Sequence, residues 1–141
     1  MKGKILIVDD SVTQATTFKL LLTRAGYDVC VAKDGIEGIA MAYRTFPDII
    51  ISDIVMPEIN GYQLCRVLKN DNLTKRIPII LQTSLDEKID HFWGIKAGAD
   101  SFVVKDGNIF KLLNEVETFL STASLLSDIE RKRFVERKKV E

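Results

Sequence analysis

The sequence predicts a single α/β domain built on a doubly wound parallel sheet. Short apolar runs rich in Ile and Val recur five times. Amphipathic helical patterns fall between them, and the connections are short throughout. Strand–helix alternation of this kind implies right-handed crossovers. Strands covered by helices on both faces read as near-continuous apolar runs rather than alternating ones.

The elements follow in order. Lys4–Val8 is the first strand and stops at Asp9 and Asp10. Thr13–Ala25 carries Ala15, Phe18, Leu21, Leu22 and Ala25 at near-helical spacing, with Gly26 as its stop. Tyr27–Ala32 is the second strand. Ile36–Phe46 repeats Ile36, Ile39, Ala40 and Tyr43, and Pro47 ends it. Asp48–Ser52 is the third strand, and Gly61–Lys69 is a helix with Leu64, Val67 and Leu68 on one side. Ile77–Gln82 is the fourth strand, and the helix Glu87–Ala97 closes at Gly98. Ser101–Val104 is the fifth strand. Asn108–Leu120 is the last helix, carrying Ile109, Leu112, Leu113, Val116 and Leu120. There is no internal repeat and no low-complexity segment.

The 141 residues are one domain's worth of chain, enough to bury a substantial core. Hydrophobic residues make up 46% and charged residues 28%, as in ordinary globular proteins. Lys and Arg together number 20, as do Asp and Glu, so bulk charge gives no reason to expect binding to nucleic acid or membrane. The six basic and four acidic residues from Asp128 to Glu141 leave the body mildly acidic and the tail mildly basic. The two cysteines, Cys30 and Cys65, fall in a strand and a helix and read as small buried hydrophobes rather than a disulfide framework. The chain enters a strand at once, without a signal peptide, and no apolar run is long enough to span a bilayer. A cytoplasmic location is expected.

The chemistry sits where strands end. Asp9 and Asp10 follow the first strand, Asp53 the third, Thr83 the fourth and Lys105 the fifth. In an open parallel sheet, the carboxyl ends of the strands line one crevice where ligands bind. Each piece has a plain alternative in isolation. The Asp pair can be a solvated turn with a helix cap, Thr83–Ser84 can cap the next helix, and a lysine after a strand is usually a surface residue. Together, three carboxylates, a hydroxyl and an ammonium at one crevice suit a Mg²⁺ ion and a phosphoryl group. Mg²⁺ takes oxygen ligands from one or two carboxylates and a phosphate. One carboxylate can act as a nucleophile on phosphorus, and Lys105 and Thr83 can meet the phosphoryl oxygens.

This set, with the dense stretch PDIIISDIVMPEINGYQLC, resembles the receiver domain of two-component response regulators, the fold of the chemotaxis response regulator, over about residues 3–121. The resemblance implies a (βα)5, flavodoxin-like fold with strand order 2-1-3-4-5. It implies that Asp53 is the phosphoacceptor, that Asp10 ligates Mg²⁺ directly, that Asp9 acts through a metal-bound water, and that Val55 gives its backbone carbonyl. Thr83 matches the switch hydroxyl, Lys105 the family's lysine and Phe102 the switch aromatic, while Pro57 and Gly61 match the loop after the phosphorylated strand. A histidine kinase would be the phosphodonor. The face of the fourth helix, fifth strand and fifth helix would serve as output, or as a surface for dimerisation.

One position departs from the pattern. The family's lysine is usually followed by a cis proline, whereas Asp106 follows here. A cis bond before a non-proline residue costs about 2.5–4 kcal/mol, so a trans bond or a strained loop is expected. Asp106 could also compete for the Lys105 ammonium, or simply form a turn with Gly107 and Asn108. Val55 and Leu85 are apolar and unable to orient an attacking water, which predicts slow loss of the phosphoryl group. Trp93 reads either as core or as a partner anchor, and His91 as a surface residue. Residues 122–141 are helix-prone and charged, with only a weak apolar stripe at Leu126, Ile129 and Phe134. They read as a linker to a further domain or as a C-terminal extension. No nucleic-acid motif accompanies their basic residues. Two rival readings remain: a Mg²⁺-dependent aspartyl-phosphate hydrolase, for which no second acid/base carboxylate follows Asp53 closely and no cap insertion is available, and a phosphorylation-independent binding module.

Overall fold

A computed structural model of the chain describes residues 2–84 and 88–140. Five parallel strands form one sheet: β1 (Lys4–Val8), β2 (Asp28–Ala32), β3 (Ile49–Asp53), β4 (Ile79–Thr83) and β5 (Ser101–Val104), in the spatial order β2-β1-β3-β4-β5. The helices are α1 (Val12–Arg24), α2 (Gly35–Thr45), α3 (Gly61–Lys69), α4 (Lys88–Ala97) and α5 (Ile109–Val140). The strand order and the α/β class agree with the sequence reading.

Alternation along the strands divides the core in two. Leu6, Val8, Ile50, Ile79 and Leu81 pack with Leu64, Cys65 and Leu68 of α3 on one face. Ile5, Ile7, Ile49, Ile51 and Ile80 pack with Leu22 of α1 and Leu112 and Val116 of α5 on the other. Successive side chains of a strand point to opposite faces, so a strand such as IIISD must be apolar at nearly every position to satisfy both layers. Cys65 is fully buried and Cys30 half-buried, and burial pushes the Cys65 thiol up to about 12, so it is inert as a nucleophile.

Several strand boundaries move from the expected ones. Tyr27, Asp48, Ile77 and Pro78 lie outside the strands, while Asp53 and Thr83 lie inside them. The Tyr27 amide still belongs to the end of α1, donating to Leu22 O at 3.2 Å. Asp48 is held by its side chain, which accepts from the Lys4 amide at 2.7 Å. Pro78 has no N–H to give the ladder, although its carbonyl accepts from Ile50 N at 2.9 Å. The expected first residue of α4, Glu87, lies outside the described residues, as do Leu85 and the side chain of His91.

The last helix does not stop near Leu120: α5 is 32 residues long in all and runs on through the helix-prone tail to Val140. At 1.5 Å per residue that is about 48 Å of helix. The segment 122–140 contains no Gly or Pro to interrupt it.

The candidate phosphoacceptor site

The order β2-β1-β3 reverses direction at the β1/β3 boundary, and the crevice at such a switch point opens beyond the carboxyl ends of those strands. Asp9 and Asp10 leave β1 there, and Asp53 is the last residue of β3, paired in register with Gln82 of β4. Thr83 ends β4, and the Lys105 amide donates to Thr83 O at 2.6 Å, carrying the β4–β5 pairing one residue beyond β5. The sheet therefore brings all five strand-end residues to one place.

Asp9, Asp10 and Asp53 each offer a carboxylate oxygen, and these oxygens lie within 4.8 Å of one another. Asp9 and Asp53 are buried and Asp10 is exposed. Asp9 Oδ1 is occupied, accepting from the Ser11 amide at 2.8 Å. Asp9 Oδ2 and Asp53 Oδ1 are sealed from solvent, and among the described residues no neutral group donates to either. Their compensation is charge. The Lys105 ammonium contacts Asp53 Oδ1 and stands 3.7 Å from Asp9 Oδ2. Three clustered carboxylates, two of them buried with one ammonium between them, carry more negative charge than Lys105 offsets and suit a hard divalent cation that takes oxygen ligands and keeps some of its water. The residues thus fit the ion that the sequence implies.

Burial, and then the close Asp9 carboxyl group, raise the Asp53 pKa from 3.8 to about 7, against the pull of Lys105. A carboxylate whose charge is this poorly compensated gains more from a cation than a solvated one would.

A cavity of about 230 Å³ opens above Asp53, lined among others by Asp10, Val55, Thr83 and Lys105. Val55 is 84% exposed at its mouth. The loop that returns from β3 to α3 is clamped tightly. Gly61 N donates to Ile54 O at 2.8 Å, and Asn60 and Gln63 cap α3 reciprocally.

Phe102 is half-buried and lies against the core layer formed with α3. Its ring sits under Gly94 of α4, where an added Cβ would stand 3.2 Å from Phe102 Cδ2. On the outer side of α4, Trp93 is 47% exposed and meets Phe92 edge-on at 5.3 Å. Of the two readings for Trp93, the core one is excluded.

Of the two readings of Asp106, the turn and cap is the one found, and Asp106 does not compete for Lys105. Asp106 Oδ2 instead accepts from Lys111 Nζ at 2.5 Å, and its Oδ1 caps the Asn108 amide at 3.0 Å. No peptide bond among the described residues is cis. Gly107 takes a φ of +86°, so the loop turns there without the proline. Lys105 is left to the site.

The sequence reading missed Gln14, whose side-chain carbonyl accepts from Lys105 Nζ at 2.7 Å. The available signal was a polar residue four positions after Asp10, about one turn into α1 and close to the crevice.

The profile of the response regulator receiver domain family matches residues 5–117. The chain belongs to that family. The response regulator PleD of Caulobacter vibrioides is 41% identical over 105 residues, which is 74% of this chain but 23% of PleD. The protein PilH of Pseudomonas aeruginosa is 37% identical over 119 residues, 84% of this chain and 98% of PilH. The chain therefore spans less than a quarter of one such relative and nearly all of another. A solved receiver domain of the sensor histidine kinase PA1611 from Pseudomonas aeruginosa, described with magnesium coordinated in its active-site cleft, is 26% identical with a TM-score of 0.78. That likeness covers 84% of this chain and 98% of the other.

The receiver domain is the phosphoacceptor module of two-component signalling, working with histidine kinases and output domains, and such domains bind Mg²⁺ at an acidic pocket. They are signalling modules rather than metabolic enzymes. Among the described residues, no helix is long and apolar enough to cross a membrane.

Proposed function

We propose that Asp53 accepts a phosphoryl group from a histidine kinase, with Mg²⁺ held by Asp9, Asp10, Asp53 and the Val55 carbonyl. The observation that carries this reading is the pair of buried oxygens on Asp9 and Asp53 that share the single Lys105 ammonium beside the exposed Asp10. When bound, Mg²⁺ would neutralise the carboxylates and polarise the phosphoryl oxygens. Within the chain, Asp53 supplies the attacking oxygen. A P–O bond forms to Asp53 as the P–N bond of the donor phosphohistidine breaks, and the imidazole leaves with a proton from solvent. Lys105 is a point charge within reach of the transferring phosphoryl group, and Thr83 is a hydroxyl at the same rim.

Incubation with Mg²⁺ and acetyl phosphate, followed by intact mass measurement, tests this reading. One added phosphoryl group with Mg²⁺, and none without it, is the expected result. No gain with Mg²⁺ present would remove Asp53's role and leave a phosphorylation-independent binding module.

The same residues can return the phosphoryl group to water, so self-dephosphorylation belongs to the proposal. Val55 at the cavity mouth offers no hydrogen bond to an attacking water. Val55→Asn is expected to speed phosphoryl loss by about two- to fivefold, the scale of one added hydrogen bond. A decay rate equal to the wild type's would show that this position does not set the lifetime.

A phosphorylated Asp53 gains negative charge and acceptor oxygens that Thr83 can move inward to meet, and Phe102, packed under Gly94 of α4, then fills the space vacated there. The output surface is the α4–β5–α5 face, where Phe92, Trp93, Ile95 and Phe110 are exposed. It serves a protein partner or a second copy of the chain, without direct contact to nucleic acid. Residues 1–121 are the receiver, and 122–141 are a charged helical tail or a linker to a further domain. The setting is cytoplasmic, where histidine kinases phosphorylate such domains.

A further inference from the structure

Lys105 has a third partner. Besides Asp53 and Asp9, its ammonium donates to Gln14 Oε1 at 2.7 Å, joining β5 to α1 across 91 residues of chain. The start of α1 is tied to the acidic site. Ser11 caps the helix, accepting from Gln14 N at 3.4 Å, while the Ser11 amide donates to Asp9 Oδ1 at 2.8 Å. Gln14 is thus placed relative to Asp9 by two hydrogen bonds and one helical turn. It also lines the cavity above Asp53.

A lysine side chain is a point charge on four flexible methylenes, and its ammonium has three donors to distribute. A carboxylamide carbonyl can fix one of these donors without neutralising the charge, as a carboxylate would. We propose that Gln14 is a positioning residue for phosphoryl transfer. By holding one N–H of Lys105 at the α1 side of the cavity, it keeps the ammonium over Asp53, with the other N–H groups directed at the transferring phosphoryl oxygens. This rests on the reading of Asp53 as phosphoacceptor. The Gln14 side chain is hydrogen-bonded to the lysine and belongs to an exposed residue, so its contribution is that of one partly solvated hydrogen bond.

Gln14→Met keeps the length of the side chain and removes the acceptor. With Mg²⁺ and acetyl phosphate, it is expected to take up the phosphoryl group about two- to fivefold more slowly than the wild type. In the metal-free protein, the ¹⁵Nζ signal of the Lys105 ammonium should exchange with water faster in Gln14→Met, and the melting temperature should match the wild type's. Gln14→Glu restores an acceptor and should return the slowly exchanging Lys105 signal. A Gln14→Met protein with wild-type phosphorylation and an unchanged Lys105 signal would overturn the assignment of Gln14 alone. Failure of the wild type itself to be phosphorylated would overturn the Asp53 reading, and the role of Gln14 with it.

Discussion

Asp53→Asn is expected to abolish phosphoryl uptake completely while leaving the metal-free protein at least as stable as the wild type. The first half follows from chemistry, because a carboxamide cannot supply the attacking oxygen at the position where Lys105 and the other two carboxylates converge. The second follows from the Asp53 pKa, raised from 3.8 to about 7 chiefly by burial. A group whose native pKa lies above its unfolded value binds its proton more tightly in the folded state. Its favourable contribution is fully present below about pH 4 and is lost as pH rises through about 7. Without Mg²⁺, the wild type should therefore lose more melting temperature between about pH 5 and about pH 8 than Asp53→Asn does. Asp9 and Lys105 interact with Asp53, so the difference between the two proteins reports Asp53 together with its coupling to them. Added Mg²⁺ should flatten the wild-type slope, because a cation favours the ionised form. Equal pH slopes in the two metal-free proteins would mean that Asp53 carries its charge without strain.

Gly61→Ala should be the most damaging single methyl addition near the site. A Cβ on Gly61 would stand 2.3 Å from Asp53 O and 2.9 Å from Ile54 Cα. Both are backbone atoms of the strand end that presents the phosphoacceptor, so no side chain can rotate away. The loop must lift, which also breaks the 2.8 Å bond from Gly61 N to Ile54 O. A loss of about 2–4 kcal/mol in urea unfolding is expected, at the upper end for overpacking. Variant protein that still folds should phosphorylate more slowly, since the Asp53 backbone is what moves. A stability within about 0.5 kcal/mol of wild type would show that the loop gives way freely.

The strand ends were legible because each candidate residue follows its own apolar run. Asp9, Asp10, Asp53, Thr83 and Lys105 could be assigned to one rim from strand order alone, since parallel strands all present their carboxyl ends to the same side. Gln14 was only weakly legible, by its place four positions after Asp10, because its partner lies 91 residues away. The outcome at Asp106 was similarly hidden. Whether its carboxylate reaches Lys105 or Lys111 depends on the path of the loop, and the turn at Gly107 directs it to α5.

By itself the sequence determined the five-fold alternation of strand and helix, the two-sided burial of the sheet and the chemical identity of the groups at its rim. These are properties of local periodicity and of which residue follows each strand, and they do not depend on distant contacts. The tertiary structure alone decided that two of the three carboxylates are buried, that one oxygen of each has the Lys105 ammonium as its compensation, and that Gln14 reaches that ammonium. Desolvation, charge pairing and backbone clearance arise only when segments far apart in the chain are packed together, so no reading of one segment at a time could supply them.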